Sequence, residues 1–524
     1  MKNKVISAML VTAMAVSMLA GCGAANEAPA ATATEEKTEE APAAEEKAEE
    51  APAAEETTEE APAASGDATT ITIYRCTYNL GAPDEDQVKK VGDAINAKLT
   101  EKGANVQVDI HDIPSGEYGQ KANLAFNNGE VDLLWNASWW GDGIGTNDIY
   151  AAGSAYDITD LVAGSVLEGS MDSGVWEAAK YDGKIYFVPV YKESYEGYDL
   201  KVPQAMVDQY SIDTASIKEL KDIEPYLEAM AADGLKYPYL TTKTAMFFRY
   251  YIDKYDFFTQ NALFAVDRAT NEVVDPILTD DYADFCKLMG SWYAAGYISD
   301  DDLTKATPDN ICQTTDWGFN WWTCVPGDEA NTEARDLCDE VIIEGITGKY
   351  MHSTTALGSC FTVSATCTPE EAAACVEFLG LLYTDEEIAD LYTFGIEGED
   401  YTLTADGRVA QTSEKYNHSA WESTSVKALT LLENEDADKV EQYVSMNGSA
   451  ATSCAAGFRF DKSAVEAEYT ACVAIMDEMG YSLELGAIPA DQVDSFIADY
   501  QAALDGAGYQ TVLAEFQAQY DAWK

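Results

Sequence analysis

The chain has 524 residues, and its 92 Asp and Glu against 32 Lys and Arg give a formal net charge of −60. A protein of that charge repels polyanions, so nucleic acid is excluded as a partner, and neutral or cationic ligands are favoured. The chain is also too long for one ordinary hydrophobic core, which predicts two lobes or domains.

Residues 1–21 have the pattern of a secretory signal peptide. Lys2 and Lys4 precede an apolar run that is too short to span a bilayer. The run ends in Leu-Ala-Gly-Cys, which resembles the bacterial lipobox and implies cleavage before Cys22 and a lipid on its thiol. An ordinary signal peptide with an incidental cysteine is the alternative. We therefore expect a lipid-anchored protein on the extracellular face of the cell membrane, of the Gram-positive type.

Residues 22–68 are predicted to be the lipidated cysteine followed by a disordered acidic linker. The segment repeats Glu-Glu-Ala-Pro-Ala-Ala and contains no aromatic residue. It cannot bury enough apolar surface to offset the entropy lost on ordering. No later segment offers the roughly 18 uncharged apolar residues of a membrane span, so we expect nothing after Cys22 to cross the membrane.

The first part of the body alternates between strand and helix patterns. Apolar alternation or continuous apolar runs predict strands at 70–74, 106–110 and 131–135, and helical periodicity predicts helices at 85–101 and 117–127. The order strand, helix, strand, helix, strand indicates a parallel sheet. In open sheets of this kind, ligands bind outside the carboxyl ends of the strands.

The later part of the body is mainly helical. A further strand is predicted at 185–190, helical periodicity occurs at 217–232 and 280–295, and capping boxes at 368–371 and 384–387 each predict a helix start. An apolar stripe near the chain end predicts a terminal helix that packs on the body.

Several motifs follow one another in an order that resembles a known family. They are Gly116–Lys121, Gly129–Asp132, Asp182–Pro189, Tyr383–Glu387 and Phe394–Tyr401. Together they resemble the family-1 extracellular solute-binding proteins of ABC transporters, and within them the LipO-like lipoproteins. The resemblance implies an α/β, two-lobed, periplasmic-binding-protein-like fold of type II, with a hinge, a central ligand cleft and a helical C-terminal part.

The resemblance also sets expectations for the lobes and partners. We expect an N-lobe at 69–190 and about 326–390, and a C-lobe at about 191–325 and 391–524, with the first hinge crossing near 189–203. The implied partners are a small-molecule ligand and the permease subunits of an ABC importer. The protein is expected to be a monomer that binds its ligand reversibly.

Two tryptophan doublets are the predicted ligand-binding surfaces. Trp139 and Trp140 follow the third strand, and Asn320, Trp321 and Trp322 lie in a segment that resembles a strand end facing the family's cleft. Because a sugar ring stacks its C–H faces on flat apolar side chains, these doublets favour a carbohydrate ligand. For any single tryptophan, packing in the core or between the lobes stays an open alternative.

Three further residues are predicted to offer polar contacts to the ligand. Tyr191 and Glu193 follow the strand that ends at the proposed hinge, with Lys192 between them, and Glu397 lies in a Gly-rich acidic segment. A solvated hinge carboxylate is the alternative for Glu193. A structural loop is the alternative for Glu397.

The sequence contains no motif that predicts an enzyme, a cofactor or a metal site. Gly-x-Ser-x-Gly, His-Glu-x-x-His and phosphate-loop patterns are absent, and the cysteines include no Cys-x-x-Cys pair beside only 3 histidines. The sequence leaves the pairing of the cysteines open. A binder of carbohydrate or oligosaccharide is therefore predicted. The alternatives are a peptide or cationic small-molecule binder of the same transporter class and a tethered glycoside hydrolase.

Overall fold

A computed structural model describes residues 68–77, 83–241, 246–258, 263–302, 312, 314, 316–326, 333, 336–351, 354–416 and 418–524. They all belong to the compact unit Ala61–Lys524. The predictions for the signal peptide, Cys22 and nearly all of the linker lie outside the described residues. Within the described ranges, no helix has the length and apolar character needed to cross a bilayer.

Strands and helices are numbered in chain order. The strands are β1 (Thr69–Thr77), β2 (Val106–Pro114), β3 (Leu133–Asn136), β4 (Phe187–Pro189), β5 (Tyr198–Pro203), β6 (Tyr237–Leu240), β7 (Tyr255–Phe257), β8 (Ala265–Asp267), β9 (Glu272–Val274), β10 (Trp317–Thr323), β11 (Glu340–Ile343), β12 (Tyr350–Met351), β13 (Cys360–Val363), β14 (Tyr401–Leu403), β15 (Val409–Gln411) and β16 (Ala451–Thr452). The α-helices are α1 (Glu85–Glu101), α2 (Ser115–Asn127), α3 (Thr146–Ala151), α4 (Thr159–Val162), α5 (Val166–Gly169), α6 (Ser173–Ala179), α7 (Gln204–Tyr210), α8 (Glu224–Ala232), α9 (Phe247–Tyr250), α10 (Asp280–Ala294), α11 (Pro369–Leu382), α12 (Glu386–Phe394), α13 (Ala420–Ser423), α14 (Lys439–Ser449), α15 (Glu466–Ile475), α16 (Tyr481–Glu484), α17 (Val493–Gly506) and α18 (Tyr509–Trp523).

The N-lobe is built on a five-stranded sheet with the order β2-β1-β3-β13-β4. β1 runs parallel to both β2 and β3, with Ile73 opposite Ile110 on one side and Leu133 on the other. The apolar alternation of these strands buries the three isoleucine and leucine side chains. The predicted parallel start of the sheet is therefore confirmed. β13 extends the sheet antiparallel to β3, and β4 pairs antiparallel to β13 at the edge.

Local capping explains where the principal N-lobe helices begin. The Asp84 side chain accepts a hydrogen bond from the Gln87 amide (3.1 Å) at the start of α1, and the predicted capping box of Thr368 and Glu371 opens α11. The second predicted box differs: Asp385, not Thr384, caps α12 by accepting from the Ile388 amide at 3.2 Å. Asp385 is the residue with extended backbone geometry there, which the N-cap position requires.

The C-lobe is built on a four-stranded sheet with the order β11-β5-β10-β6 and on a helical layer. β5 is antiparallel to both of its neighbours, whereas β10 and β6 are parallel. The last helix, α18, buries Val512, Phe516 and Tyr520 completely in the C-lobe core. The predicted apolar stripe of the terminal helix therefore packs on the body, as expected.

The lobe boundaries differ from the predicted ones in two places. β11, predicted in the N-lobe, pairs with β5 in the C-lobe sheet. Residues 391–449, predicted in the C-lobe, pack on the N-lobe, because Tyr416 and Tyr443 belong to its hydrophobic core. The buried His418 ring fixes this segment further, with Nε2 2.9 Å from Asp112 Oδ2 in β2. The C-lobe core resumes at Ala455.

Among the residues that the structure describes, the chain passes between the lobes in three segments, 191–198, 343–351 and 443–455. Each joins a residue of one hydrophobic core to a residue of the other. These crossings are hydrogen-bonded to one another. Glu196 and Tyr350 exchange two backbone hydrogen bonds of 2.8 and 2.9 Å, and β12 pairs with β16. The hinge is therefore a small sheet rather than separate single strands.

Candidate functional site

A cleft of about 1390 Å³ lies between the N-lobe, the hinge and the C-lobe. The N-lobe contributes the loop after β3 and the start of α3, the hinge contributes residues 192–197, and the C-lobe contributes aromatic side chains and residues 457–463. The loop after β3 is at the carboxyl end of a parallel strand, where the sequence predicted the ligand to bind.

The first tryptophan doublet lines the N-lobe side of this cleft. The Trp139 and Trp140 rings stack with centroids 5.3 Å apart, and Trp139 is 49% exposed. Trp139 Nε1 donates to the Gly358 carbonyl oxygen at 2.6 Å, while Trp140 packs edge-on against the buried Trp135 at 5.6 Å. One indole face is thus held in place and offered to the cleft.

A glycine shapes the loop that carries the doublet. A Cβ atom on Gly145 would lie 2.6 Å from the Trp140 carbonyl oxygen, closer than packed atoms approach. Only glycine therefore allows α3 to begin this close to the tryptophan backbone.

Aromatic residues form the C-lobe side of the cleft. The Phe458 ring centroid lies 5.4 Å from that of Phe258 and 5.7 Å from that of Trp523. Phe460 and Tyr469 continue the surface. Trp523 is 42% exposed although it lies in the terminal helix. These rings give the cleft a second flat apolar wall.

The hinge and the N-lobe both supply polar groups to the cleft. Glu193 lines the cleft and forms an ion pair with Lys192. Tyr195 also lines it, and burial raises the pKa of its hydroxyl above the usual value. Tyr150 donates to Asp182 Oδ2 at 2.6 Å, which raises the pKa of the Tyr150 hydroxyl and keeps it a neutral donor.

Two basic side chains of the C-lobe bridge to the N-lobe across the cleft. Arg459 Nη2 donates to the Ala178 carbonyl oxygen at 3.1 Å, and its guanidinium carbon lies 4.5 Å from the Tyr181 ring centroid. Lys462 Nζ lies 3.2 Å from Asp148 Oδ1. The lobes are therefore in direct contact in this structure.

Carboxylates outnumber basic groups among the described residues that line the cleft. The carboxylates are Asp148, Asp182, Glu193, Glu196, Asp461 and Glu466, and the basic residues are Lys192, Arg459 and Lys462. Each of these basic residues already contacts protein: Lys192 pairs with Glu193, Lys462 with Asp148, and Arg459 with the N-lobe. The cleft therefore offers an anionic ligand no uncommitted cation among the residues described.

Comparisons with known proteins agree with this architecture. A family model described as a domain of unknown function, DUF3502, matches residues 454–524. A carbohydrate ABC transporter substrate-binding protein from Streptococcus pneumoniae serotype 4 is 25% identical over 474 residues, covering 87% of this chain and 91% of the relative.

Solved structures share the whole fold. The N-glycan transport solute-binding protein NgtS from Streptococcus pneumoniae has a TM-score of 0.74 at 23% identity, covering 86% of this chain and 98% of NgtS. Its complex with Man5GlcNAc has a TM-score of 0.64 at 23% identity, covering 87% and 98%. The chain has the fold of a solute-binding protein. The predicted two-lobed α/β fold and the resemblance to family-1 solute-binding proteins are therefore confirmed.

Several predicted site residues lie outside the cleft lining. Tyr191 is buried in the N-lobe core, and its hydroxyl donates to Asp172 Oδ2 at 2.7 Å. Asn320 is 1% exposed, with Nδ2 3.8 Å from Cys312 Sγ. Glu397 is exposed on an N-lobe loop, where its backbone forms an isolated β-bridge with Tyr401. Glu397 thus has the structural loop position that the sequence left as its alternative.

The second tryptophan doublet also stops short of the cleft. The Arg249 guanidinium lies 4.0 Å from the Trp321 ring, and the Lys201 ammonium lies 4.6 Å from the Trp322 ring. The next residues of the chain, Thr323 and Cys324, are the ones that line the cleft. The predicted strand end was therefore placed about two residues too early.

The sequence did not reveal the C-lobe wall of the cleft. Phe458, Phe460 and Trp523 reach the cleft only because the last hinge crossing and α18 pack together, far along the chain from Trp139. The apolar stripe of α18 predicted that the helix packs on the body. Nothing in the pattern indicated that Trp523, at the end of the stripe, is exposed to the cleft.

Proposed function

We propose that this solute-binding protein captures a neutral oligosaccharide in the cleft between its lobes and delivers it to an ABC importer. The single observation that carries the proposal is the pairing of two aromatic walls, the Trp139–Trp140 stack of the N-lobe and the Phe458–Trp523 pair of the C-lobe, on one cleft. A flat sugar ring enclosed between such walls buries both C–H faces and leaves its hydroxyls for polar groups at the rim.

The size of the cleft favours an oligosaccharide over a single sugar. Its volume of about 1390 Å³ exceeds the roughly 300–1,000 Å³ of sites that enclose one drug-sized molecule. The two tryptophan faces and the C-lobe rings together offer more than one stacking position.

The charge of the cleft favours a neutral sugar. A uronic acid or sialic acid would bring a carboxylate toward Asp182, Glu193 and Glu196, and the basic side chains that line the cleft are already engaged. Sugar hydroxyls, by contrast, can donate to these carboxylates in charge-assisted hydrogen bonds. The same carboxylates favour a cationic peptide as the second candidate, which the experiment below separates.

The relatives support a carbohydrate ligand and binding without chemistry. The similar chain from Streptococcus pneumoniae is named a carbohydrate substrate-binding protein, and structures of NgtS are titled as complexes with Man1GlcNAc and Man5GlcNAc. None of these names describes an enzyme.

The remaining parts of the proposal concern the membrane and the importer. We infer that Cys22 carries a lipid on the outer face of the membrane, that the linker holds the lobes away from the bilayer, and that the protein works as a monomer. Ligand closes the lobes by binding the closed form more tightly than the open form, and the permease accepts the closed form.

A thermal-shift screen followed by calorimetry tests the ligand class. We expect neutral oligosaccharides of several residues to raise Tm by the linkage RT ln(1 + [L]/Kd), and matched uronic-acid oligosaccharides and cationic peptides not to do so. Incubation of the best ligand with the protein should leave its chain length unchanged by chromatography. Stabilisation by peptides alone, or release of shorter sugars, would contradict the proposal.

A further inference from the structure

A cluster of thiol and carboxylate groups lies at the end of the N-lobe sheet away from the cleft. Asp132 immediately precedes β3, Cys367 follows β13, and Glu371 is in the first turn of α11. One ligand atom from each of these three residues lies within 4.8 Å of the other two. The cleft, in contrast, is at the opposite, carboxyl end of β3.

Backbone hydrogen bonds orient both carboxylates of this cluster. The Thr72 amide donates to Asp132 Oδ2 at 2.8 Å, and the Thr368 amide donates to Glu371 Oε2 at 2.8 Å. One oxygen of each carboxylate is thereby held, and Asp132 Oδ1 lies 3.6 Å from Cys367 Sγ. Hydrogen bonds that fix the direction of ligand groups in this way are a regular feature of metal sites.

The cluster has no cationic partner in the part of the chain that the structure describes. Neither Asp132 nor Glu371 forms an ion pair with a Lys or Arg there, whereas other N-lobe carboxylates, Asp157, Asp385, Glu387 and Glu399, do. Two partly buried carboxylates beside a thiol repel one another unless a positive charge is added.

A second thiol lies beside the cluster. Cys375 is one helical turn beyond Glu371 in α11 and is fully buried, but its sulfur is outside the group of atoms that lie within 4.8 Å of one another. One thiol and two carboxylates are ligand types that zinc takes, and three protein ligands leave the fourth position of a tetrahedral site to water.

We propose that Asp132, Cys367 and Glu371 bind one borderline-soft divalent cation of the Zn²⁺ class. The coordinating Cys367 thiol releases its proton to solvent on binding. Hard cations such as Ca²⁺ and Mg²⁺ are disfavoured because they take only oxygen ligands. The ion joins the start of β3, the end of β13 and the start of α11, so it stabilises the N-lobe without contributing to the ligand cleft.

Metal analysis of the full chain tests this site. The reduced, chelator-treated and dialysed protein is incubated with ZnCl₂ and analysed by elemental mass spectrometry, and with CoCl₂ by absorption spectroscopy. We expect one equivalent of zinc, a thiolate-to-cobalt charge-transfer band, and a rise in Tm of about 2 °C or more.

Variants assign the metal to these residues. Cys367→Ser and Asp132→Asn should each weaken zinc binding more than about tenfold, since even changes outside the coordinating shell cost this much. Cys454→Ser, which removes an exposed thiol of the C-lobe, should bind zinc and cobalt like the unaltered protein. The cobalt spectrum of the unaltered chain decides the question even if a variant folds poorly.

Three outcomes would overturn the proposal. They are substoichiometric zinc in the unaltered reduced protein, a cobalt spectrum without a charge-transfer band, and an unchanged cobalt spectrum in Cys367→Ser. If a Cys367–Cys375 disulfide forms in air and the reduced protein fails to bind zinc, the thiols would be assigned to redox chemistry instead.

Discussion

The guanidinium of Arg459 in the C-lobe lies over the ring of Tyr181 in the N-lobe, with 4.5 Å between the guanidinium carbon and the ring centroid. The same side chain donates to the Ala178 carbonyl oxygen at 3.1 Å. These contacts exist only while the lobes are close together, so they stabilise the closed arrangement.

Replacing Arg459 by Gln should therefore favour the open form. We expect a larger radius of gyration by small-angle X-ray scattering and a ligand affinity lower by about 1–2 kcal/mol, the scale of a cation–π contact plus one hydrogen bond. Arg408→Gln, on an N-lobe hairpin far from the cleft, is the control. An unchanged scattering profile in Arg459→Gln would show that this contact does not hold the lobes.

Trp139→Ala should weaken oligosaccharide binding by about 1–2 kcal/mol, because it removes one stacking face while the buried Trp135 and the half-buried Trp140 keep the loop in place. The control is Trp322→Ala, which removes a half-buried tryptophan outside the cleft. Calorimetry should show a loss of affinity in the first variant only. Equal losses in both would mean that the second doublet reaches the ligand after all.

Gly145→Ala should impair ligand binding, because its new Cβ would meet the Trp140 carbonyl oxygen at 2.6 Å and displace the tryptophan loop. A Cβ atom on Gly141, in the same loop, would have no other atom within 4 Å, so Gly141→Ala should bind the ligand normally. Both variants are compared by calorimetry, with thermal unfolding to verify the fold. Normal affinity in Gly145→Ala would show that the loop relaxes without moving the rings.

The stability of the N-lobe should depend on pH through His418. Burial and the charge of Arg75 lower the pKa of His418, but Asp112 and Glu422 outweigh them and raise it above its usual 6.5. A raised histidine pKa stabilises the fold below the unfolded value of 6.5, and this stabilisation is lost as the pH rises through the folded pKa. Asp112, whose pKa falls to about 2, contributes stability above its usual 3.8 that is lost as the pH falls toward 2.

Urea unfolding at several pH values measures this dependence. The free energy of unfolding should decline as the pH rises above 6.5, and His418→Gln should remove that decline. His111→Gln, which changes an exposed histidine, should retain it. A decline that persists in His418→Gln would assign the titration to another group.

The sequence was sufficient to predict the β1–β3 sheet and the place of Trp139. Strict apolar alternation fixes which faces of β1 and β2 are buried, and the parallel order fixes which end carries the ligand loop. These are local or nearly local rules, and the structure follows them.

Features that depend on packing between distant segments could not be predicted. Nothing in the sequence of residues 391–449 indicates that His418 contacts Asp112 in β2. Nothing around Trp321 indicates that the Arg249 guanidinium covers its ring. Cys367 and Asp132, 235 residues apart, show no metal-ligand spacing at all. Such pairings depend on how whole elements dock, which periodicity does not encode.

The hydrogen-bonded hinge limits how the two halves can move. Because Glu196, Tyr350 and Ala451 are joined side by side as strands, a twist that slid one crossing past another would break these bonds, whereas a bend across all three at once keeps them. The two lobes should therefore open and close by rotation about a single hinge axis. Each closure would then bring the same two aromatic surfaces together in the same alignment. The hinge therefore determines the geometry of ligand binding as much as the aromatic residues do.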